Sequence, residues 1–76
     1  MKIRVRLTGF LKKYFDGEEQ RVLDFEDGIS ARQVVELIGV DFEKMGFVSI
    51  NNLRVMIDDQ LKDGDLLKVF PKIYGG

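Results

Sequence analysis

Alternation of apolar and polar residues at the start of the chain predicts a half-buried β-strand. Between Met1 and Leu7 the odd positions are apolar and the even positions are basic, so one face of the strand is buried and the other is an exposed cationic face. Apolar residues at one-turn spacing in 10–15 indicate a short helix or a single turn. Residues 20–25 then return to a strand pattern.

The clearest helix signal begins at Ser30. This residue is a good N-cap, and Gln33 lies three positions later, which together make a capping box. An apolar stripe follows, and Gly39 is suited to end a helix in the left-handed conformation. The sequence therefore predicts a helix over 31–38.

Three further strands are predicted in the second half of the chain, over 47–50, 53–57 and 66–70. Asn51-Asn52 suits the tight turn between the first two, and Pro71 is expected to halt the last. The order is β-β-α-β-β-β, which favours an α+β domain with one principal helix packed on one face of a mixed sheet of four to five strands. A β-grasp arrangement, with the last strand inside the sheet, is compatible with this order.

Composition excludes several classes of function. The 76 residues include 12 basic and 13 acidic ones, for a net charge of −1, and no cysteine or histidine. We therefore expect no nucleic-acid partner, no disulfide, and no metal site built on cysteine or histidine. The sequence shows neither a signal peptide nor an apolar stretch of membrane-spanning length, so we expect a cytoplasmic protein with no membrane partner.

The last two residues of the sequence, Gly75 and Gly76, are the most suggestive chemically. A glycine pair has no Cβ, so it can lie in a channel too narrow for side chains and present a terminal carboxylate without steric cover. We expect a domain over 1–71 and a flexible C-terminal tail over 72–76.

The whole chain resembles a known family, and the C-terminal third carries most of the motifs; the first strand with residues 10–17 after it also fits. The run Leu-Lys-Asp-Gly-Asp at 61–65, the apolar strand at 66–70, Pro71 and the closing glycine pair resemble the ubiquitin-like sulfur-carrier superfamily, and most closely the small subunit of molybdopterin synthase. Two positions depart from that pattern. Lys72 stands where a second proline is common, and Tyr74 where a small residue is usual.

The resemblance implies a chemistry centred on Gly76. An E1-like adenylating enzyme would activate the Gly76 carboxylate, and a sulfur-donating enzyme would convert it to a thiocarboxylate. The chain would bind no cofactor of its own, because ATP and magnesium would lie on the activating partner. It would act without an autonomous active site, as the sulfur-carrying subunit beside the larger catalytic subunit of molybdopterin synthase.

The same resemblance assigns roles to the residues before Gly76. The residues expected to thread into the partner's channel are Lys72, Ile73, Tyr74 and Gly75. Phe70 and Pro71, at the base of the tail, are expected to dock the partner. Simpler interpretations remain open: Phe70 is then an ordinary core aromatic, and Lys72 and Ile73 are solvated.

Other functions of the same fold also remain open from the sequence. A thiamine-type or tungsten-cofactor sulfur carrier would use the same terminal carboxylate. A ubiquitin-like protein modifier would join Gly76 to lysines of target proteins. A non-covalent β-grasp interaction module would not need the glycine pair at all.

Overall fold

Five strands form one mixed sheet with a short α-helix packed on one of its faces. The computed structural model describes residues 1–73. Its elements are β1 (Lys2–Leu7), β2 (Gln20–Asp24), α1 (Ala31–Ile38), β3 (Met45–Ile50), β4 (Leu53–Val55) and β5 (Leu66–Pro71), with 3-10 helices at Gly9–Phe15 and Phe42–Lys44. None of the helices in this part of the chain is long and apolar enough to cross a lipid bilayer.

The strand order in the sheet is β2-β1-β5-β3-β4, which confirms the expectation that the last strand lies inside. β5 pairs in parallel with β1 and antiparallel with β3. The two outer strands, β2 and β4, pair antiparallel with β1 and β3 respectively. The strand that leads into the tail is therefore held by hydrogen bonds on both sides.

The core lies between α1 and one face of the sheet. Ile3, Val5 and Leu7 of β1 are completely buried there, as are Val34 and Val35 of α1. Side chains alternate along each strand, so the neighbouring positions point to the other face. We call this second face the open face; it carries Lys2, Arg4, Arg6, Val22, Phe47, Ser49, Arg54, Leu66, Lys68 and Phe70.

The helix begins and ends where its local sequence predicts. Ser30 Oγ accepts a hydrogen bond from the Gln33 amide at 3.2 Å, and Gln33 Oε1 accepts one from the Ser30 amide at 2.9 Å. Gly39 closes the helix with φ of 89°. The capping box is thus complete, and it satisfies backbone donors that would otherwise lack partners.

Five strand boundaries differ from those predicted, each by one or two residues; two of them are the start of β1, at Lys2, and the end of β2, at Asp24. β4 ends at Val55 because Asp59 Oδ2 accepts a hydrogen bond from the Met56 amide at 3.1 Å, which stabilises a turn instead. β3 begins earlier, at Met45. Pro71 was expected to halt β5 and instead belongs to it, paired with Met45. A proline is tolerated here because it lies opposite the register shift between Met45 and Phe47, where the β3–β5 ladder is irregular.

A bidentate ion pair joins α1 to the loop after β4, and it gives a testable pH effect. Arg32 donates from Nε and Nη2 to the two Asp58 carboxylate oxygens at 2.6 and 3.2 Å. These hydrogen bonds lower the pKa of Asp58 below its ordinary value of 3.8. Because the folded-state pKa is depressed, the stabilisation is present above the unfolded-state pKa and is lost as pH falls through the folded-state pKa.

Replacing the guanidinium tests this assignment. In an Arg32→Gln variant we expect the Asp58 pKa to rise toward its ordinary value, because the charge-assisted hydrogen bonds are gone. An NMR titration of the side-chain carboxyl carbons measures it, with Asp63 as an internal control on another turn. An Asp58 pKa that is the same in both proteins would contradict the assignment.

Candidate functional site: the base of the C-terminal tail

The chain leaves the sheet at Lys72. The Lys72 amide donates a hydrogen bond to the Lys44 carbonyl at 2.8 Å, which extends the β5–β3 ladder one residue past Pro71. Ile73, the next residue, is 89% exposed. The remaining predicted tail residues, Tyr74, Gly75 and Gly76, lie outside the described residues.

Two glycines from separate segments enclose Pro71. A Cβ added at Gly46 would lie 2.8 Å from the Pro71 carbonyl oxygen and 3.3 Å from Lys72 Cα. A Cβ added at Gly9 would lie 3.0 Å from Pro71 Cγ, and Gly9 also has φ of +56°. At Gly46 the backbone is not left-handed, so the need for glycine there is one of space. We call Gly9 and Gly46 together the Pro71 seat.

Local irregularities bring the seat into position. The register of β3 against β5 shifts between Met45 and Phe47, which sets Gly46 against the backbone of Pro71. At the end of β1, both the amide and the hydroxyl of Thr8 donate to the Val69 carbonyl, at 3.2 and 3.1 Å. The base of the tail is therefore fixed from the β1 side and from the β3 side.

Phe70 lies on the open face rather than in the core beneath the helix. Its ring stacks on Phe47 with centroids 4.5 Å apart and planes 12° apart. The Arg54 guanidinium lies 4.5 Å from the centroid of the Phe47 ring. Phe70 is half-buried and is not a member of the buried core cluster, so the ordinary-core interpretation does not describe it.

The charged groups near the tail base do not form a catalytic constellation. Across residues 1–73 no carboxylate forms an ion pair with Lys72, and no three acidic side chains lie close enough together to hold a metal ion. A shallow groove of about 900 Å³ lies beside α1, lined by Glu26, Asp27 and Glu36 among others, and it includes no residue of the tail base. The contacts described at the tail base can fix the position at which the chain leaves the sheet.

Phe70, Pro71 and Lys72 are consecutive in the sequence, but the sequence does not indicate which residues of other segments contact them. Nothing in the local sequence around Gly9 or Gly46 connects either residue with the tail. Glycine at each position was the available signal, but its meaning depends on contacts with Pro71, which is far away in the sequence. The sequence predicts that Phe47 lies in a strand but does not indicate that its ring stacks on Phe70.

Solved structures of other proteins share this arrangement of strands and helix over nearly the whole length of the chain. SAMP1, the small archaeal modifier protein 1 of Haloferax volcanii, has a TM-score of 0.78 at 18% identity, with 100% of both chains covered. A Pyrococcus furiosus protein described as molybdopterin converting factor, subunit 1, has a TM-score of 0.76 at 23% identity, covering 96% of this chain and 99% of its own. No family model matches the sequence.

The chain has the ubiquitin-like β-grasp fold. A third structure agrees: the complex of subunits 1 and 2 of molybdopterin-converting factor from Helicobacter pylori, with a TM-score of 0.65 at 22% identity and 100% of both chains covered. The predicted fold class is thereby confirmed, and so, at the level of the fold, is the resemblance to the ubiquitin-like sulfur-carrier superfamily.

Proposed function

We propose that this β-grasp protein is a sulfur carrier whose Gly76 carboxylate is converted to a thiocarboxylate. The observation that carries the proposal is the tail base: Pro71 is enclosed by Gly9 and Gly46, the Lys72 amide is bonded to Lys44, and Ile73 is exposed. A rigid base followed by a glycine-ended sequence suits a chain that inserts its terminus into a partner. The domain then serves as a handle for the reacting group.

The chemistry follows from the weakness of a carboxylate as an electrophile. At neutral pH the Gly76 carboxylate is ionised, since a terminal carboxyl has a pKa of about 3.3–3.7. One of its oxygens attacks the α-phosphorus of ATP, and pyrophosphate leaves, giving an acyl-adenylate. Hydrosulfide then attacks the carbonyl carbon, AMP leaves with the C–O electron pair, and the terminal thiocarboxylate remains. An E1-like partner supplies the ATP site and magnesium in the cytoplasm.

Delivery of the sulfur to a molybdopterin precursor is the pathway best supported. The relatives from Pyrococcus furiosus and Helicobacter pylori are named as subunit 1 of molybdopterin-converting factor, and the latter is a complex with subunit 2. By the same likeness, this chain would pair with a larger catalytic subunit. Phe70 and Pro71 would lie at that interface, and Lys72 to Gly75 would occupy the channel.

Intact-mass spectrometry tests the carrier chemistry. The mass of the purified chain first establishes that Gly76 carries the terminal carboxylate. After incubation with the adenylating enzyme, Mg-ATP and sodium sulfide, we expect a mass gain equal to one oxygen-to-sulfur exchange, confined to the terminal fragment. The reaction without ATP is the control. No exchange in the presence of an enzyme that forms the adenylate would refute the proposal.

Protein modification is a second candidate, favoured by the similarity to small archaeal modifier protein 1. It uses the same acyl-adenylate but ends in an amide bond to a lysine of a target protein. Conjugates of higher mass that carry the Gly76 carbonyl on a lysine would establish this function. If cells contain the thiocarboxylate form but no such conjugates, protein modification is excluded and the carrier function remains.

A further inference from the structure

Three cationic residues and one serine form a row across four strands of the open face. In the register of the sheet, Arg6 of β1 lies opposite Lys68 of β5, Lys68 opposite Ser49 of β3, and Ser49 opposite Arg54 of β4. Residues directly opposite each other in a sheet point to the same side. We call Arg6, Lys68, Ser49 and Arg54 the cationic row.

Two cations of the row are neighbours in the sheet and lack acidic partners in the described part of the chain. Like charges directly opposite in a sheet destabilise it, and Arg6 and Lys68 are such neighbours. Among residues 1–73 neither cation has a carboxylate partner: Arg6 bonds the Gln20 side-chain oxygen at 2.8 Å, and Lys68 bonds that of Asn52 at 2.6 Å. By contrast, Arg21 pairs with Glu18 and Arg32 pairs with Asp58.

Ser49 adds an unsatisfied donor in the middle of the row. Its side chain is only 5% exposed, and its Oγ has no hydrogen-bond partner in the described part of the chain. A buried hydroxyl without a partner costs stability. Lys68 and Arg54 flank it in the register of the sheet, and both have long side chains. An acceptor oxygen that reached Ser49 would meet two cations and a hydroxyl donor.

The positive charge is a local property of this face. The whole chain has a net charge of −1, and acidic side chains line the groove on the helix side, including Glu26, Asp27 and Glu36. Next to the row lies the Phe47–Phe70 stack, which adds apolar area beside the charges. Such a surface is complementary to a partner surface with carboxylates next to an apolar contact.

We propose that the cationic row docks an acidic segment of a partner protein, with its carboxylates bound by Arg6, Lys68 and Arg54 and by the Ser49 hydroxyl. The inference rests on the proposed function, because the acidic segment belongs to a partner protein that binds this chain as a carrier. A protein fits better than a nucleic acid, because Phe70 and the Arg54 guanidinium both lie against the Phe47 ring and Phe70 is itself half-buried, which leaves little aromatic surface for bases to stack on.

A defined acidic peptide tests the surface without the natural partner. A synthetic peptide of alternating glutamate and leucine, capped by serines, is titrated into the full isotope-labelled chain and followed by NMR. We expect shift changes confined to the open face around Arg6, Ser49 and Lys68. The affinity should fall steeply as salt rises from about 0.01 M to about 0.1 M, where the Debye length shrinks from about 30 to about 10 Å.

A charge reversal in the row separates docking from folding. In Lys68→Glu we expect the peptide affinity to fall about tenfold, because one attraction is replaced by a repulsion. The melting temperature should rise, because Arg6 then faces an opposite charge. Lys12→Glu is the matched control: it changes the net charge equally, on an exposed residue outside the open face, and should leave the affinity unchanged.

Two results would overturn the proposal. One is an equal peptide affinity of Lys68→Glu and Lys12→Glu. The other is tighter binding of a single-stranded oligonucleotide than of the peptide, lost in Lys68→Glu, which would assign the row to nucleic acid. A chain that lacks Gly76 should bind the peptide with the affinity of the full chain, because the cationic row is unchanged. Peptide binding therefore tests docking independently of the sulfur chemistry.

Discussion

Deleting Gly76 is expected to reduce thiocarboxylate formation by at least about 100-fold while leaving the domain folded. One residue of extended chain spans about 3.3–3.6 Å, so the deletion withdraws the carboxylate from the α-phosphorus by that distance. Misplacement of a reacting group by only about 1 Å costs on the order of 100-fold in rate. The rate of oxygen-to-sulfur exchange, followed by intact mass with the adenylating enzyme, measures the loss.

Stability provides the control for this deletion. The described contacts of the tail end at Lys72, and Ile73 is 89% exposed. We therefore expect the free energy of unfolding to change by less than about 0.5 kcal/mol. Gly76→Ala keeps the chain length and the carboxylate, so it separates the effect of a shorter tail from the effect of an added side chain. A shortened chain that exchanges oxygen for sulfur at the normal rate would exclude Gly76 as the reacting residue.

Replacing Gly46 with alanine is expected to disturb the tail base through sterics alone. The new Cβ would lie 2.8 Å from the Pro71 carbonyl oxygen and 3.2 Å from its carbonyl carbon. These are backbone atoms, which cannot rotate away as a side chain does, so β3 and the tail base must move apart. We expect a loss of about 1–3 kcal/mol in the free energy of unfolding, measured by denaturant titration, as for other overpacked sites.

The same variant should slow thiocarboxylate formation beyond its effect on stability. Displacing Pro71 weakens the bond between the Lys72 amide and the Lys44 carbonyl, so hydrogen exchange at Lys72 should accelerate. Gly28→Ala is the matched control, because Gly28 has φ of +81° but nothing within 4 Å of an added Cβ. It should lose stability through backbone strain and keep the normal rate. Equal rates in the two variants would show that Gly46 only supports folding.

The helix was predictable to the residue because its signals are local. Ser30, Gln33 and Gly39 lie within or beside the 31–38 segment, and each acts on backbone groups a few positions away. The Asn51-Asn52 turn was predictable for the same reason, and both residues have the positive φ that the turn requires. Local rules of this kind need no knowledge of the rest of the fold.

The strand ends were less predictable because pairing partners decide them. β4 ends at Val55 since the Asp59 carboxylate binds the Met56 amide, a contact that competes with the apolar pattern continuing to Ile57. β5 includes Pro71 since β3 begins early enough, at Met45, to pair with it. Neither outcome follows from the strand's own sequence.

For the candidate site, the sequence suggests a chemistry but does not indicate the contacts that support the tail base. The glycine pair and the residues before it suggested the carrier function, because their meaning lies in covalent structure. The Pro71 seat, the Phe47–Phe70 stack and the cationic row each join residues from different strands. They depend on the register of the finished sheet, which a single sequence does not specify.

The central position of β5 has a consequence for newly made protein. A ribosome synthesises β1 first and residues 66–71 late, yet β5 fills the gap between β1 and β3 and completes the sheet. Until that strand is inserted, Pro71 has no seat and the tail has no fixed direction. Under the proposed function, an activating enzyme that binds the tail base would therefore select folded molecules over released chains that have not yet folded, and ATP would not be consumed on the unfolded ones.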